Sequence, residues 1–419
     1  KFRFRTTKSV RGKHERIYIR SFVNALRSRG AISSRSKNSN SLGQSREINF
    51  NSNFRRASSL PRIRSKGASR NSFKGPAVIL QYQLSQYFYL ALATFIFVGA
   101  LTPLMRKLAL KVGAVDAPNM ARKVQAEPVP YLGGVAIVIG VFVATYSTLI
   151  IKEKEIALAS TVLIPALLMA AMGLADDLRG LKPWPRLIAQ SAVGIIVAGF
   201  LIYTDTIGTP SQIFLIDAIV TTLWIVGVCN SINFFDNLDG GAAGTVVVIS
   251  FFTFLIAYDR GQLMISALSI VTAGATAGFL IWNRPPAKIY MGDAGALFLG
   301  IIVAVLTIRL NPGIDPNWKS LAIPLFLMAV PLLDTTVAVT SRLARGISPF
   351  TGGRDHLSHR LMRKGLHRRT AAITLWALAG IYGTVAYAIY QGQSTALITL
   401  AAITWAYLFV FFIRIPHSD

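Results

Sequence analysis

The sequence predicts an all-α protein, a polytopic membrane helical bundle of about eleven transmembrane helices, with about ten as the alternative count. Two observations carry that expectation. Hydrophobic residues make up 53% of the chain and the mean hydropathy is +0.49, too apolar for a soluble protein of 419 residues. After residue 75, apolar runs of roughly the 20 residues that a helix needs to cross a bilayer recur to the C-terminus, separated by short polar loops.

Residues 1–75 stand apart. They hold 20 Lys and Arg against two acids and account for most of the net charge of +26. Rich in Arg and Ser and without helical periodicity, the segment reads as disordered. Three readings of it stay open: an organelle transit peptide, a basic surface tail, or an extension ahead of the true start. Nucleic acid is not an expected partner, because no aromatic-interleaved binding module accompanies the charge. A single cysteine, Cys229, excludes a disulfide framework and any multi-cysteine metal site. Residues 76–419 form one integral membrane domain.

Its spans fall near 83–105, 131–151, 156–175, 187–203, 211–229, 241–257, 262–282, 294–309, 320–340, 370–390 and 395–413. The loops at 106–130, 176–186, 230–241, 283–293 and 341–369 hold 18 Lys and Arg, whereas those on the opposite side hold 5. By the positive-inside tendency the first set is cytoplasmic. Eleven spans then leave the basic N-terminal segment outside, a conflict removed if the count is ten or if the mature protein lacks that segment.

The cytoplasmic loops also collect the acids, in chain order. The first carries Asp116 and Glu127 beside Arg122 and Lys123 in "DAPNMARKVQ". Next, "GLADDLRGL" ends a span on adjacent carboxylates, Asp176 and Asp177, whose repulsion calls for a cation or a basic partner. "NSINFFDNLDGGAAG" sets Asn230, Asn233, Asp236 and Asp239 three apart, so a helical stretch would project them from one face. "PPAKIYMGDAGALFLG" offers Asp293 between glycines that allow close approach of a ligand. Last come Asp334 in "PLLDTT" and Asp355, His356 and His359 in "RDHLSHR". Loop acids are ordinarily just solvated, but ionisable groups gathered at one end of membrane helices point to a site.

A few aspartates at the bilayer surface suit Mg²⁺, with Mn²⁺ as a substitute, since this hard ion takes one or two carboxylates and completes its shell with water and phosphate oxygens. Arg179, Arg186, Lys288, Arg354 and Arg360 share these loops. Each alone reads as a positive-inside anchor; together with the acids they suit phosphoryl transfer, which depends on positioning and charge neutralisation.

The order of "DAPNMARKVQ…PVPYLGG", "GLADDLRGL", "NSINFFDNLDGGAAG", "GFLIWNRPPAKIYMGDAGALFLG" and "SPFTGGRDHLSHRL" over residues 83–413 resembles the bacterial polyprenyl-phosphate N-acetylhexosamine-1-phosphate transferases (glycosyltransferase family 4). The resemblance implies transfer of a sugar 1-phosphate from a UDP-sugar to a lipid phosphate, with release of UMP and a requirement for Mg²⁺. It implies Asp176, Asp177 and Asp293 as catalytic residues and Asp293 with Asp177 as metal ligands. One of the adjacent pair would deprotonate the lipid phosphate or act as nucleophile. Implied substrate contacts are Lys123, Asn233, Asp236, Asp239, Asn283 and Tyr290, with Asp334 in a supporting role; beside them the loop residues Arg186 and Arg354 are expected on phosphate oxygens, and His356 and His359 as donors to the sugar or diphosphate. Asp217, near the opposite end of its span, is left out.

Four places depart from the family pattern. Tyr290 stands where Phe is usual, keeping an aromatic face for uracil. Gln125 replaces a His, Asn237 and Gly241 alter "DGLDGLA", and Ser358 replaces a further His. "HLSHRL" fits the GlcNAc branch better than the MurNAc-pentapeptide branch. The expectation is therefore transfer of GlcNAc-1-phosphate from UDP-GlcNAc to undecaprenyl or decaprenyl phosphate in a bacterial inner membrane, active on the cytoplasmic face; a plastid membrane follows if residues 1–75 are a transit peptide. A phospho-MurNAc-pentapeptide transferase or a user of another UDP-sugar is the alternative, and a transporter or a non-catalytic scaffold lies outside the class. The bilayer is a partner, and a homodimer stays open.

Overall fold

A computed structural model describes residues 83–116, 128–149, 153–208, 210–315 and 317–416. The basic segment 1–75 and Lys123 lie outside the described residues. The described chain is almost entirely helical. In order it forms α1 (Leu84–Val112), the two-residue strands β1 (Val115–Asp116) and β2 (Val129–Pro130), α2 (Gly133–Leu149), α3 (Glu153–Arg179), α4 (Pro183–Tyr203), α5 (Phe214–Phe235), α6 (Gly241–Asp259), α7 (Leu263–Asn283) and α8 (Gly292–Arg309). Then follow α9 (Asn317–Leu327), α10 (Ala329–Ala344), α11 (Leu357–Arg363), α12 (Arg368–Gly392) and α13 (Thr395–Ile413). The strands pair antiparallel, Val115 with Pro130 and Asp116 with Val129.

Every expected span is helical, but two are not simple crossings. Among the described residues nine helices are long and apolar enough to cross a membrane, ten if the bent pair α9 and α10 counts as one. The span expected at 320–340 is broken, with a bend of 73° between its halves. Pro331 stands in the first turn of α10, where its missing N–H costs no intrahelical bond; inside one continuous helix it would. The span expected at 131–151 is the 17-residue α2, about 26 Å long at 1.5 Å per residue, a little short of a full hydrocarbon core.

Helix α8 is the axis of the bundle. It is apolar on all sides and buried at every position from Ala294 to Arg309, as a helix without a polar face must be. Helices α2, α3, α5, α6 and α7 pack around it. In lipid no hydrophobic drive brings helices together, so their approach depends on small residues. Gly134 of α2 and Gly173 of α3 lie so close to the first turn of α8 that a Cβ on either would overlap backbone at Gly295 or Asp293. These contacts bring the ends of α2 and α3 to the N-terminus of α8. The outermost helices α1, α4 and α13 expose Phe88, Ile96, Ile195, Ile196, Leu400 and Ile403, an apolar surface that a bilayer covers.

Asp217 sits at the other end of the bundle from α8's N-terminus. Its Oδ1 accepts the Ser211 N–H at 2.7 Å, bracing the entry to α5.

Candidate active site

The first turn of α8 presents backbone N–H groups that no helical carbonyl can satisfy. Asp177, in the last turn of α3, takes two of them: Oδ1 accepts from Asp293 N at 2.9 Å and Oδ2 from Ala294 N at 3.1 Å. Gly292 makes this possible. Its φ is +67°, and a Cβ there would sit 2.5 Å from Asp177 Oδ2, so both backbone and space require glycine.

Asp293 is held from two sides. Asn233 Nδ2 donates to Oδ1 at 2.7 Å and Arg186 Nη1 to Oδ2 at 2.9 Å. The same Nη1 donates to Asp176 Oδ2 at 2.7 Å, while Asp176 Oδ1 accepts the Leu181 N–H at 2.6 Å. Asp176 thus fastens the α3–α4 turn and presents Arg186 to Asp293. One turn further into the bundle Asn230 Nδ2 donates to Gln190 Oε1 at 2.6 Å, a direct tie between α4 and α5.

The four polar residues spaced by three do not share one helix. Helix α5 ends at Phe235, Asp236 is its C-terminal cap, and Asp239 belongs to the turn closed by Gly240 at φ +69°. Asp239 Oδ2 accepts the Ala287 N–H at 2.9 Å and also bonds the Tyr290 phenol. Asn283 completes the seam: Oδ1 accepts from Gly240 N and Nδ2 donates to Ile289 O, both at 3.0 Å. Burial, then the negative charges of Asp293, Asp177 and Asp239, push the Asp236 carboxyl up to about 8. Burial also raises Asp239, against the opposing Ala287 N–H and Arg368 charge, and burial with the Asp239 charge raises the Tyr290 phenol.

A second polar cluster lies beside this one, between α10 and α11. His356 Nδ1 donates to Asp334 Oδ2 at 2.7 Å, and Leu357 N donates to Asp334 Oδ1 at 2.7 Å. Arg342 Nη2 lies 3.1 Å from His356 Nε2 and, being a donor only, fixes that nitrogen as the acceptor. Arg342 Nε donates to Asp355 Oδ2 at 3.0 Å, and Arg345 pairs with Asp355 Oδ1. Burial raises the Asp355 carboxyl, but the Arg342 hydrogen bond and the Arg342 and Arg345 charges outweigh it and hold the group below its usual range. His359 carries no such partner; burial, with the Arg354 and Arg363 charges adding to it, lowers it to about 4 despite Asp334, so the ring is neutral near pH 7. Arg360 bridges the cluster to α13: Nε donates to Asp355 O at 2.8 Å, and Nη1 caps α13, donating to Phe412 O at 2.8 Å and Ile415 O at 2.6 Å.

These groups surround a cavity of about 540 Å³. Of the residues expected from sequence, it is lined by Asp177, Asn233, Asp236, Asp239, Asn283, Tyr290, Asp293, His356 and His359. Asp176, Arg186 and Arg354 lie outside that lining; Asp176 and Arg186 reach it through Asp293. The ring nitrogens of His356 are both engaged, which leaves His359 as the histidine open to a ligand. Asp116, Tyr131, Asn237 and Arg368 also line the cavity, beyond the site residues expected from sequence. Asp116 ends β1 and Tyr131 follows β2, and both fall within the quoted motifs "DAPNMARKVQ" and "PVPYLGG"; Arg368, at the start of α12, carries no signal in the sequence beyond its charge.

The lining can hold a hard divalent cation. Asp177 and Asp293 are joined through the first turn of α8, and the two-carboxylate set fits an ion that draws its remaining ligands from water and phosphate.

Comparison with known proteins shows which family the chain belongs to. The family description "Glycosyl transferase family 4" matches residues 159–311. The chain is 32% identical over 323 residues to a probable undecaprenyl-phosphate N-acetylglucosaminyl 1-phosphate transferase of Bacillus subtilis, covering 75% of this chain and 85% of that protein. It is 30% identical over 368 residues to a decaprenyl-phosphate N-acetylglucosaminephosphotransferase of Mycobacterium tuberculosis, covering 80% and 90%. It is 27% identical over 304 residues to an undecaprenyl-phosphate alpha-N-acetylglucosaminyl 1-phosphate transferase of Escherichia coli, covering 70% and 81%.

Proposed function

Because this chain belongs to glycosyl transferase family 4, we propose that it transfers N-acetylglucosamine 1-phosphate from UDP-GlcNAc to a polyprenyl phosphate and releases UMP. The observation that carries the reading is the carboxylate-lined cavity at one end of a membrane bundle, formed by Asp177, Asp236, Asp239 and Asp293, where a lipid headgroup and a soluble nucleotide can meet. The basic loops at that end support a cytoplasmic orientation, the side on which UDP-sugars are available, and a bacterial inner membrane fits the relatives' organisms.

In the reaction an oxygen of the lipid phosphate attacks the phosphorus that bears the sugar, the bond from that phosphorus to the UMP oxygen breaks, and UMP leaves with its electron pair. Asp293 and Asp177 would hold Mg²⁺, or Mn²⁺ in its place. The ion supplies neutralisation of the diphosphate charge. The protein's own residues supply position. Asp177 is the member of the adjacent pair that faces the cavity, which favours it over Asp176 for contact with the acceptor phosphate. Arg186 and Asn233 fix both oxygens of Asp293. Asp236 stands in the same lining as Asp177 and Asp293, within the region that would take the diphosphate. Neutral His359 suits a sugar hydroxyl, and the Tyr290 ring offers a face for uracil.

The test is UMP release by the purified protein with undecaprenyl phosphate and Mg²⁺, supplied in parallel with UDP-GlcNAc or UDP-MurNAc-pentapeptide. Release from UDP-GlcNAc alone, lost on chelation and in Asp293→Asn, is the expected result. Release from the pentapeptide donor alone would move the chain to the other branch, and an active Asp293→Asn would overturn the ion-binding role.

A further inference from the structure

The cavity has two walls that come from distant parts of the chain. One is the turn carrying Asp236 and Asp239; the other is α11, carrying His359 and Met362. Ser358 of α11 donates its hydroxyl to Asn237 Oδ1 of the turn, across 121 residues of sequence. Asn237 is not free to rotate. Its Nδ2 donates to Phe234 O in the last turn of α5 at 2.7 Å, which turns Oδ1 toward Ser358. Ser358 is buried, so its hydroxyl has no water to fall back on.

Other anchors join α11 and its cap to residues outside this turn. Leu357 N is held by Asp334, and Arg360 by Asp355 O, Phe412 O and Ile415 O. Release of the Ser358 bond therefore leaves α11 held by these anchors but unfastened from the turn that carries Asp236 and Asp239, with His359 next along the chain. The groups around Asp177 and Asp293 are braced independently by Arg186, Asn233 and the first turn of α8.

We propose that Asn237 and Ser358 form a clasp that sets the width of the nucleotide-sugar cleft, making both of them positioning residues for the donor and not for the lipid acceptor. The inference rests on the reading of this cavity as the UDP-GlcNAc site.

The full-length protein is compared with Ser358→Ala, Asn237→Ala, the double variant and Ser358→Thr, measuring KM for UDP-GlcNAc and for undecaprenyl phosphate separately and the Kd of UDP by equilibrium dialysis. Each alanine variant should raise donor KM and UDP Kd about fivefold, the equivalent of one buried hydrogen bond of about 1 kcal/mol. Acceptor KM should stay within about twofold, a difference too small to reflect a lost hydrogen bond. The double variant should be no worse than the weaker single, and Ser358→Thr should restore the wild-type values. Unchanged donor KM and UDP Kd, or equal losses for both substrates, would overturn the clasp. So would loss of the fold in both alanine variants, since a purely structural role would then account for the pair. If the wild-type protein binds UDP but does not turn over UDP-GlcNAc, the donor assignment fails and the clasp is decided by the UDP Kd values; a wild type that does neither overturns both.

Discussion

Replacing Arg186 by methionine should separate what holds the site together from what the site does. A single nitrogen, Nη1, serves Asp176 at 2.7 Å and Asp293 at 2.9 Å. Hydrogen bonds to charged groups contribute about 1.5–3 kcal/mol each. Their removal also leaves two carboxylates facing one another, a repulsion of about 4 kcal/mol at about 4 Å and an effective dielectric of about 20. The three side chains are 19%, 8% and 30% exposed, so solvent screens part of this, and Arg186→Met is expected to destabilise the fold by about 2–4 kcal/mol. Catalysis should suffer more. Asp293 loses one of two anchors, and a displacement of about 1 Å at a reacting centre costs about a hundredfold. Asp176→Asn combined with Arg186→Met should recover much of the stability, because an amide oxygen can still accept the Leu181 N–H and the like-charge pair is gone; it should not recover activity. Thermal unfolding in detergent and UMP release at saturating substrate measure the two quantities. An Arg186→Met protein with wild-type unfolding temperature and wild-type turnover would refute the reasoning, as would a double variant that regains activity along with stability.

Gly292→Ala should cost about 1–2 kcal/mol for the left-handed backbone alone and lose far more activity than stability, since its Cβ meets Asp177 Oδ2; thermal unfolding and UMP release compared in one preparation check this. Asn283→Leu strands the Gly240 N–H and the Ile289 carbonyl in a buried setting and should destabilise by about 2–5 kcal/mol, read as a lower unfolding temperature. His359 has its native pKa depressed to about 4, below the ordinary 6.5, so the unfolded chain binds the proton more readily. Its contribution is complete above about pH 6.5 and falls as pH drops toward 4, by up to about 3 kcal/mol; unfolding measured from pH 7 to pH 4 should show a shallower acid loss in His359→Gln than in wild type.

The eleven helical segments and the clustering of acids at one end were legible because both are local properties: an apolar run of spanning length and an ionisable group at its edge need no knowledge of the fold. The break in the 320–340 span was less so, because Pro331 can start a helix or interrupt one, and only packing decides which. The adjacent pair shows the same boundary. Nothing in "ADDL" distinguishes its two aspartates, yet Asp176 spends both oxygens on Leu181 and Arg186 while Asp177 faces the cavity, because successive helical residues point about 100° apart and the position of α8 selects one of them.

By itself, then, the sequence determined a helical membrane protein with carboxylates, bases and glycine hinges gathered at one end, since hydropathy, length and residue chemistry are written in the chain. The tertiary structure alone decided which of those groups meet: that Asp177 caps the helix bearing Asp293, that His356 is consumed by Asp334 and Arg342 while His359 is left open, and that Ser358 reaches Asn237. Such pairings span up to 121 positions and follow from close backbone contacts at Gly134 and Gly173 and from the burial of α8 on every side, which no local pattern records.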